Sequence, residues 1–276
     1  MKEAEESPDM ANNETRTSTN NAVGTETKPM LTVESITIEV GETESQPVTL
    51  AEDEVDEDNI DPSTVWNVDQ VEKELKAAFA TGLEVDILKI LKANSFLFYE
   101  LYKRKWRIHP IFSEVSFGGK YKADFVWLND DSDGPEWVLV EIEKPRMNLF
   151  KENGYAAAPL NNAIDQMKSW DRYFTRNPLE AKRIFGAVAK FRFILVAGDR
   201  EDWQTEAAIH WRNQHNKDSK IEIRSLGTFL TSLEIMKKVP REMWSFAANP
   251  VARPSTELEA YWKGNKWMDE MRLIFS

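Results

Sequence analysis

The stretch WVLVEIEKP at residues 137–145 decides how this chain is read. Val138, Leu139, Val140 and Ile142 form a run of apolar, largely branched side chains that Pro145 brings to a stop, the mark of a buried β-strand. The same strand carries Glu141 and Glu143. Positions two apart on a strand point to one face, so the two carboxylates lie side by side. Like charges so placed repel, and burying one without a partner is costly. Something must offset them.

The residues upstream supply more of the site. IHPIFSEVSF at 108–117 and KADFVWL at 122–128 read as strands joined by a turn at Gly118-Gly119. NDDSDGPE at 129–136 is dense in turn formers and reads as a loop into the 137–143 strand. The three strands make an antiparallel meander, which brings Asp124 beside Glu141 at one end of the sheet. Three carboxylates (Asp124, Glu141 and Glu143) then converge. A hard divalent cation with oxygen ligands is the natural remedy, and Mg²⁺ suits a site of few carboxylates that keeps waters for a phosphate.

The flanks give the rest of the frame. Helices are expected at 67–81, ended by Gly82, at 83–94, and onward through SFLFYELYKRK at 95–105. After a loop at about 146–158, APLNNAIDQMKSWDRYFT is helical with Ile164, Met167, Trp170 and Phe174 inward. FRFILVAG at 191–198 is almost wholly apolar and reads as a strand buried on both faces, parallel to the 137–143 strand. A helix at about 201–214, a strand at 221–226 and a helix at 228–239 follow. Residues 240–276 are rich in Trp and read as helices or irregular packing. The order is α-β-β-β-α-β-α-β-α, a mixed sheet with helices on both sides, and no internal repeat is visible.

Composition narrows the classes. There is no cysteine among the 276 residues, which excludes disulfides, thiolate metal sites and cysteine nucleophiles. The polar start is unlike a signal peptide, and no run approaches a membrane span, so a cytoplasmic protein is expected. The net charge of −12 is unevenly spread. Residues 1–64 hold 17 acidic and 3 basic side chains, and the remainder is close to balance. The acidic segment, 1–62, reads as a disordered leader; the sharper alternative is a mimic of nucleic-acid charge that occupies a basic groove. MLTVESITIEV at 30–40 has the alternation of a short strand. The basic run from Lys103 to Arg107 is read as a solvated face before a nucleic-acid contact.

Asp124 followed by Glu141-Ile142-Glu143 in this element order resembles the PD-(D/E)XK nuclease superfamily. KADFVWL, WVLVEIEKP and APLNNAIDQMKSW together resemble, more narrowly, the nuclease domain of Shedu anti-phage defence proteins, over roughly residues 85–235. The resemblance implies a restriction-endonuclease-like, three-layer α/β fold over 63–239, with 240–276 as a C-terminal extension. It implies a Mg²⁺- or Mn²⁺-dependent DNA endonuclease, nicking or cleaving, that acts as a homo-oligomer with no organic cofactor. Asp124 and Glu141 would be metal ligands. At the third position, where the superfamily usually has Lys, this chain has Glu143, a base or second-metal ligand. Lys144 follows on the opposite face and reaches the site only if Pro145 twists the strand end. Gln166 matches a glutamine found beside such sites.

Other residues are weighed against plainer roles. Trp170 is assigned to the core before base stacking. Lys120 and Lys122 flank the Asp124 strand and suit phosphate contacts, as exposed lysines also do by chance. Glu114 is assigned as an exposed strand residue before an accessory ligand. His109, His210 and His215 are scattered, and no H-E-x-x-H, G-x-S-x-G or P-loop pattern occurs. Two acids on one strand do not flank a sugar, which disfavours a glycosidase. The rival from another class is an inactive nuclease-like fold serving as a nucleic-acid-binding or assembly module.

Overall fold

The computed structural model describes residues 61–103 and 108–275. The acidic leader, the strand at 30–40 and most of the basic run at 103–107 lie outside the described residues.

Six strands form one mixed sheet in the order β5-β4-β3-β2-β1-β6. They are β1 Phe112–Phe117, β2 Tyr121–Asp131, β3 Gly134–Ile142, β4 Lys190–Val196, β5 Ile221–Arg224 and β6 Arg253–Pro254. β1, β2 and β3 make the expected antiparallel meander. β4 joins β3 in parallel, as expected, and β5 joins β4 in the same sense. β3 therefore has a neighbour on each side, so its acids are not on an edge strand.

Helices cover both faces of the sheet. They are α1 Pro62–Val65, α2 Val68–Thr81, α3 Glu84–Ala93, α4 Ala158–Arg176, α5 Pro178–Phe185, α6 Glu206–Asp218, α7 Gly227–Lys238, α8 Trp244–Ala247, α9 Leu258–Lys263 and α10 Lys266–Ile274. On one face Trp127, Val138, Val140 and Ile194 bury against α2, α3, α7 and a 3₁₀ segment, Ser95–Leu101. On the other, Val126, Leu128, Leu139, Phe193 and Leu195 bury against α4, α5, α9 and α10. Local chemistry sets the boundaries. The Asn67 side chain caps α2 by accepting from the Gln70 N–H, and Gly82 ends the helix at φ 72°. In α4 the buried residues Leu160, Ala163, Ile164, Met167, Trp170 and Phe174 recur at helical spacing on one stripe.

The structure corrects several expectations. Residues 95–101 form a 3₁₀ segment where continued α-helix was expected. Asn94 intervenes, its amide donating to the Ile90 carbonyl and its backbone leaving helical geometry. The 129–136 stretch is ladder, not loop. Asn129 pairs with Glu136, Asp130 with Pro135 and Asp131 with Gly134, which leaves a turn of Ser132-Asp133. The Asn129 amide satisfies buried Glu136 at 2.9 Å, so a polar sequence sits inside a strand pair. The helix expected at 201–214 begins at Glu206, where the Thr205 hydroxyl accepts from the Ala208 N–H, and runs to Asp218. α5 and β6 were not expected. The Asn177-Pro178 start and Gly186 end of α5 were legible punctuation, whereas β6 is two residues long.

Residues 240–276 are helical or irregular, as expected, and they pack firmly. Met243 and Phe246 join the first core, and Leu258, Trp262 and Met268 the second. Trp262 donates its indole N–H to the Ile184 carbonyl at 2.9 Å, and its ring lies over Gly186. A Cβ there would approach that ring to 2.8 Å at a φ of +77°, so only glycine fits. Among the described residues no helix is long and apolar enough to cross a membrane.

Candidate active site

The β1–β2 pair changes faces halfway along. On β2, Ala123 buries with the α4 side of the molecule, while Phe125 buries with the α3 side, although residues two apart normally share a face. On β1, Phe112 and Val115 bury on the same side although they are three apart. The slips occur at Asp124 and Glu114. Ser113 pairs with Phe125 and Val115 with Ala123, so these two residues stand opposite each other and the strands slip together. Glu114 has φ 56°, the one non-glycine residue with positive φ among those described. A backbone held in that region by a residue other than glycine is strained.

At the slip Asp124 takes over a backbone role. The β2–β3 ladder ends at Phe125 and Val140, and the next N–H of β3 in line, that of Ile142, donates to Asp124 Oδ2 at 2.8 Å. A carboxylate thus replaces a strand carbonyl. Continued by one residue, the register sets Asp124 across from Glu141. Gln166 on α4 donates its side-chain N–H to Glu141 Oε1 at 2.6 Å, while Glu141 Oε2 is buried without a hydrogen-bond partner. Buried polar atoms are usually satisfied, so an orphan carboxylate oxygen calls for a ligand, water or ion. Glu143 lies just past β3, its N–H still donating to the Val196 carbonyl at 2.8 Å.

The electrostatics follow from that crowding. Burial, then the charges of Asp124, Glu143 and Glu84, push the Glu141 carboxyl up to about 9. Burial also pushes Asp124 up to about 6, against the Ile142 hydrogen bond, with Glu84 adding to the rise. Burial and Glu84 raise Glu143 too. Glu84 is thus a fourth carboxylate of the cluster. It is the first residue of α3, where acids are routine because they suit the helix dipole, so nothing in the sequence singled it out.

Of the two lysines beside the Asp124 strand, Lys122 lies within electrostatic reach of the carboxylates. Lys122 Nζ binds Glu114 Oε1 at 3.0 Å, and the same Glu114 holds Lys92 through Oε2 at 2.7 Å. Lys122 is held charged first by Glu114, and Asp124 and Glu141 contribute in the same sense. Glu114 is an exposed strand residue, as expected, and in addition a strained anchor for two lysines. Lys120 is exposed and lies over the Tyr121 ring at 4.8 Å. Lys144 is exposed and touches the cluster only through Glu143, which its charge and its backbone N–H favour in the ionised form. Trp170 is fully buried against Phe117, in the core as expected.

The donor set suits a hard divalent cation. Asp124 keeps one oxygen beyond its bond to Ile142, and Glu141 keeps its orphan Oε2. Two carboxylates plus waters is a common Mg²⁺ environment. Among the described residues no three His, Cys, Asp or Glu side chains already close a metal cage.

Comparison with known proteins bears on the same segment. The family described as "Shedu protein SduA, C-terminal" matches residues 82–230, from the turn before Glu84 into α7. No curated protein sequence matches the chain. The match spans more than half of the 276 residues and contains every member of the carboxylate cluster; the chain belongs to the Shedu SduA C-terminal family.

Proposed function

We propose that this chain is a metal-dependent DNA endonuclease of PD-(D/E)XK type, acting in anti-phage defence. The observation that carries the reading is the Asp124–Glu141 pair. Two carboxylates meet at the end of the central strands, both carry raised pKa values, and one has a buried oxygen without a partner. Membership of the Shedu family supports the defence role.

Asp124 and Glu141 would hold Mg²⁺ or Mn²⁺, with Glu143 and Glu84 adding negative charge around it. Bound there, such an ion lowers the pKa of water and stabilises the leaving oxygen of a phosphodiester. The chain's own groups do the rest. Glu143, the least buried of the three strand-end acids, accepts the proton of the attacking water. Lys122, fixed by Glu114, provides the positive charge that the superfamily's third-position lysine would otherwise bring, and offsets charge on the phosphate as it develops. Gln166 fixes the rotamer of Glu141. Nothing about Lys144 recommends it for that role.

The test is supercoiled and linear DNA incubated with protein and Mg²⁺, Mn²⁺, Ca²⁺ or EDTA. Cleavage or nicking with Mg²⁺ or Mn²⁺, lost in EDTA and in Asp124→Asn and Glu141→Gln, is the expected result. Glu143 in place of Lys favours one alternative, an inactive nuclease-like module that binds DNA or assembles. DNA binding with no cleavage under any divalent ion would establish that alternative instead.

A further inference from the structure

A second, strongly basic cavity lies two strands along from the carboxylates. It has a volume of about 300 Å³ and gathers Arg200 from the loop after β4, Arg212 from α6, and Arg224 from the end of β5. Ser225 and Thr228, on the turn into α7, add hydroxyl groups, and Glu100 is the one carboxylate in the lining.

Three guanidinium groups in one small polar cavity need negative charge. Arg224 has a partner, Glu222, at 2.5 Å, but Glu222 also serves Arg192. Arg212 sits 5.1 Å above the Trp203 ring and, among the described residues, pairs with no carboxylate. Burial and the nearby charge of Arg224 push its pKa down, as expected for a cation short of a counter-charge. The Arg200 side chain likewise has no carboxylate partner among the described residues; only its backbone N–H is engaged, donating to Asp199 Oδ1. Gly227 permits the close approach: a Cβ there would meet Arg200 Cβ at 3.1 Å and Ser225 Oγ at 3.3 Å.

The register ties this cavity to the carboxylates. Ile142 pairs with Val196, and Val196 pairs with Arg224, so the three lie in one row across the sheet. Ile142 is the residue whose N–H holds Asp124. Two strand spacings, about 10 Å, separate the two positions in that row. Both sites lie at the C-terminal ends of the parallel strands, where α/β sheets commonly bind their ligands. They are on opposite faces of the sheet, Glu141 on the α4 face and Arg224 on the α7 face.

We propose that the Arg200–Arg212–Arg224 cavity is a phosphate-binding site. The phosphate has two possible sources, the backbone of a DNA duplex that passes the end of the sheet and a free nucleotide, and the test distinguishes them. The DNA source rests on the endonuclease reading, whereas phosphate binding itself does not.

The test uses the full chain as wild type, Arg200→Gln, Arg212→Gln and, as a charge-matched control, Arg183→Gln on α5. Binding of a fluorescein-labelled duplex is followed by anisotropy across a chloride series without divalent ions. Thermal melts are recorded with inorganic phosphate or dAMP against chloride at equal ionic strength. For the DNA source, each arginine variant weakens duplex binding about tenfold and lowers the slope of log K against log salt by about 1. Arg183→Gln, an exposed α5 residue paired with Glu180 and outside both sites, keeps the wild-type slope. For the free source, phosphate or dAMP raises the Tm of the wild type but not of the arginine variants, and the duplex slope is unchanged. If both arms match wild type, the proposal is overturned; the exposed Arg200 gives a variant that folds even if Arg212→Gln does not. Arginine-dependent duplex binding without cleavage under any metal would sink the endonuclease reading and leave the phosphate site standing.

Discussion

Glu114 stands directly across the β1–β2 ladder from Asp124, and each marks the point where its strand changes faces. Glu114 carries the strain, at φ 56°, and its carboxylate clamps Lys92 and Lys122. Asp124 gains from the same slip, since its carboxylate reaches the Ile142 N–H.

A glycine at 114 separates strain from charge. Left-handed geometry costs a residue with a Cβ roughly 1–2 kcal/mol, which Glu114→Gly removes and Glu114→Ala retains. Both lose the two ion pairs. Glu114→Gly is expected to melt several degrees above Glu114→Ala, while DNA cleavage falls in both because Lys122 is no longer held. Equal Tm values for the two variants would show that the backbone strain is not real.

The two lysines near the strand end have different expected weights. On the endonuclease reading, Lys122→Met lowers the cleavage rate about 10²–10³-fold, the usual effect of removing one preorganised charge from an active site. Lys144→Met stays near wild type, because Lys144 is exposed and meets the cluster only through Glu143. Single-turnover cleavage of the same duplex by both variants checks this. A dead Lys144→Met beside an active Lys122→Met would reverse the assignment.

The raised carboxylates give stability a pH signature. Unfolded Asp and Glu titrate near about 4, whereas Asp124 and Glu141 are held at about 6 and about 9 in the fold. Between these limits the folded state binds more protons than the unfolded one, so these groups make stability fall as pH rises. Asp124→Asn and Glu141→Gln are therefore expected to raise the metal-free Tm at pH 8 by roughly 2–6 °C, with the gain gone by about pH 4. Mg²⁺ should raise the wild-type Tm and not that of the variants. Asp124→Ala belongs in a different class, since it strands the buried Ile142 N–H and destabilises with or without metal. Differential scanning fluorimetry across pH, with and without Mg²⁺, reads all of these. A flat wild-type profile that Asn and Gln leave unchanged would count against the charge crowding.

Trp262 is expected to be a stability residue outright. It is buried, hydrogen-bonded to Ile184 and seated on Gly186. Trp262→Ala should cost about 3–5 kcal/mol, whereas Leu273→Ala, on an exposed position of α10, should cost almost nothing. Urea titration distinguishes them; a near-neutral Trp262→Ala would mean that α9 is only loosely docked.

Much of this was legible in the sequence. The apolar run of β3, the wholly apolar β4 and the stripe of α4 set the meander, the parallel crossover and the helix beside the acids. Asp124 and Glu141 were legible because a hairpin must bring them to the same end. Side-chain chemistry hid the remainder. Asn129 and Glu136 look like turn residues until each is seen to satisfy the other within the ladder. Glu84 looks like any helix-starting acid. Glu114 is exposed, as expected, but its strain was hidden, because a positive φ in a non-glycine residue leaves no trace in composition. Lys122 was read as a phosphate contact, without the anchor that fixes it.

The paired slip also governs which length changes the chain tolerates. A one-residue deletion within β1 alone, or within β2 alone, would put Glu114 and Asp124 out of register and turn the Asp124 carboxylate away from Ile142. A matched deletion on both sides of the Gly118-Gly119 turn would shorten the hairpin by one rung and keep them opposed. Insertions and deletions in this hairpin should therefore be accepted in compensating pairs, and a lone one should register as loss of the site before loss of the fold.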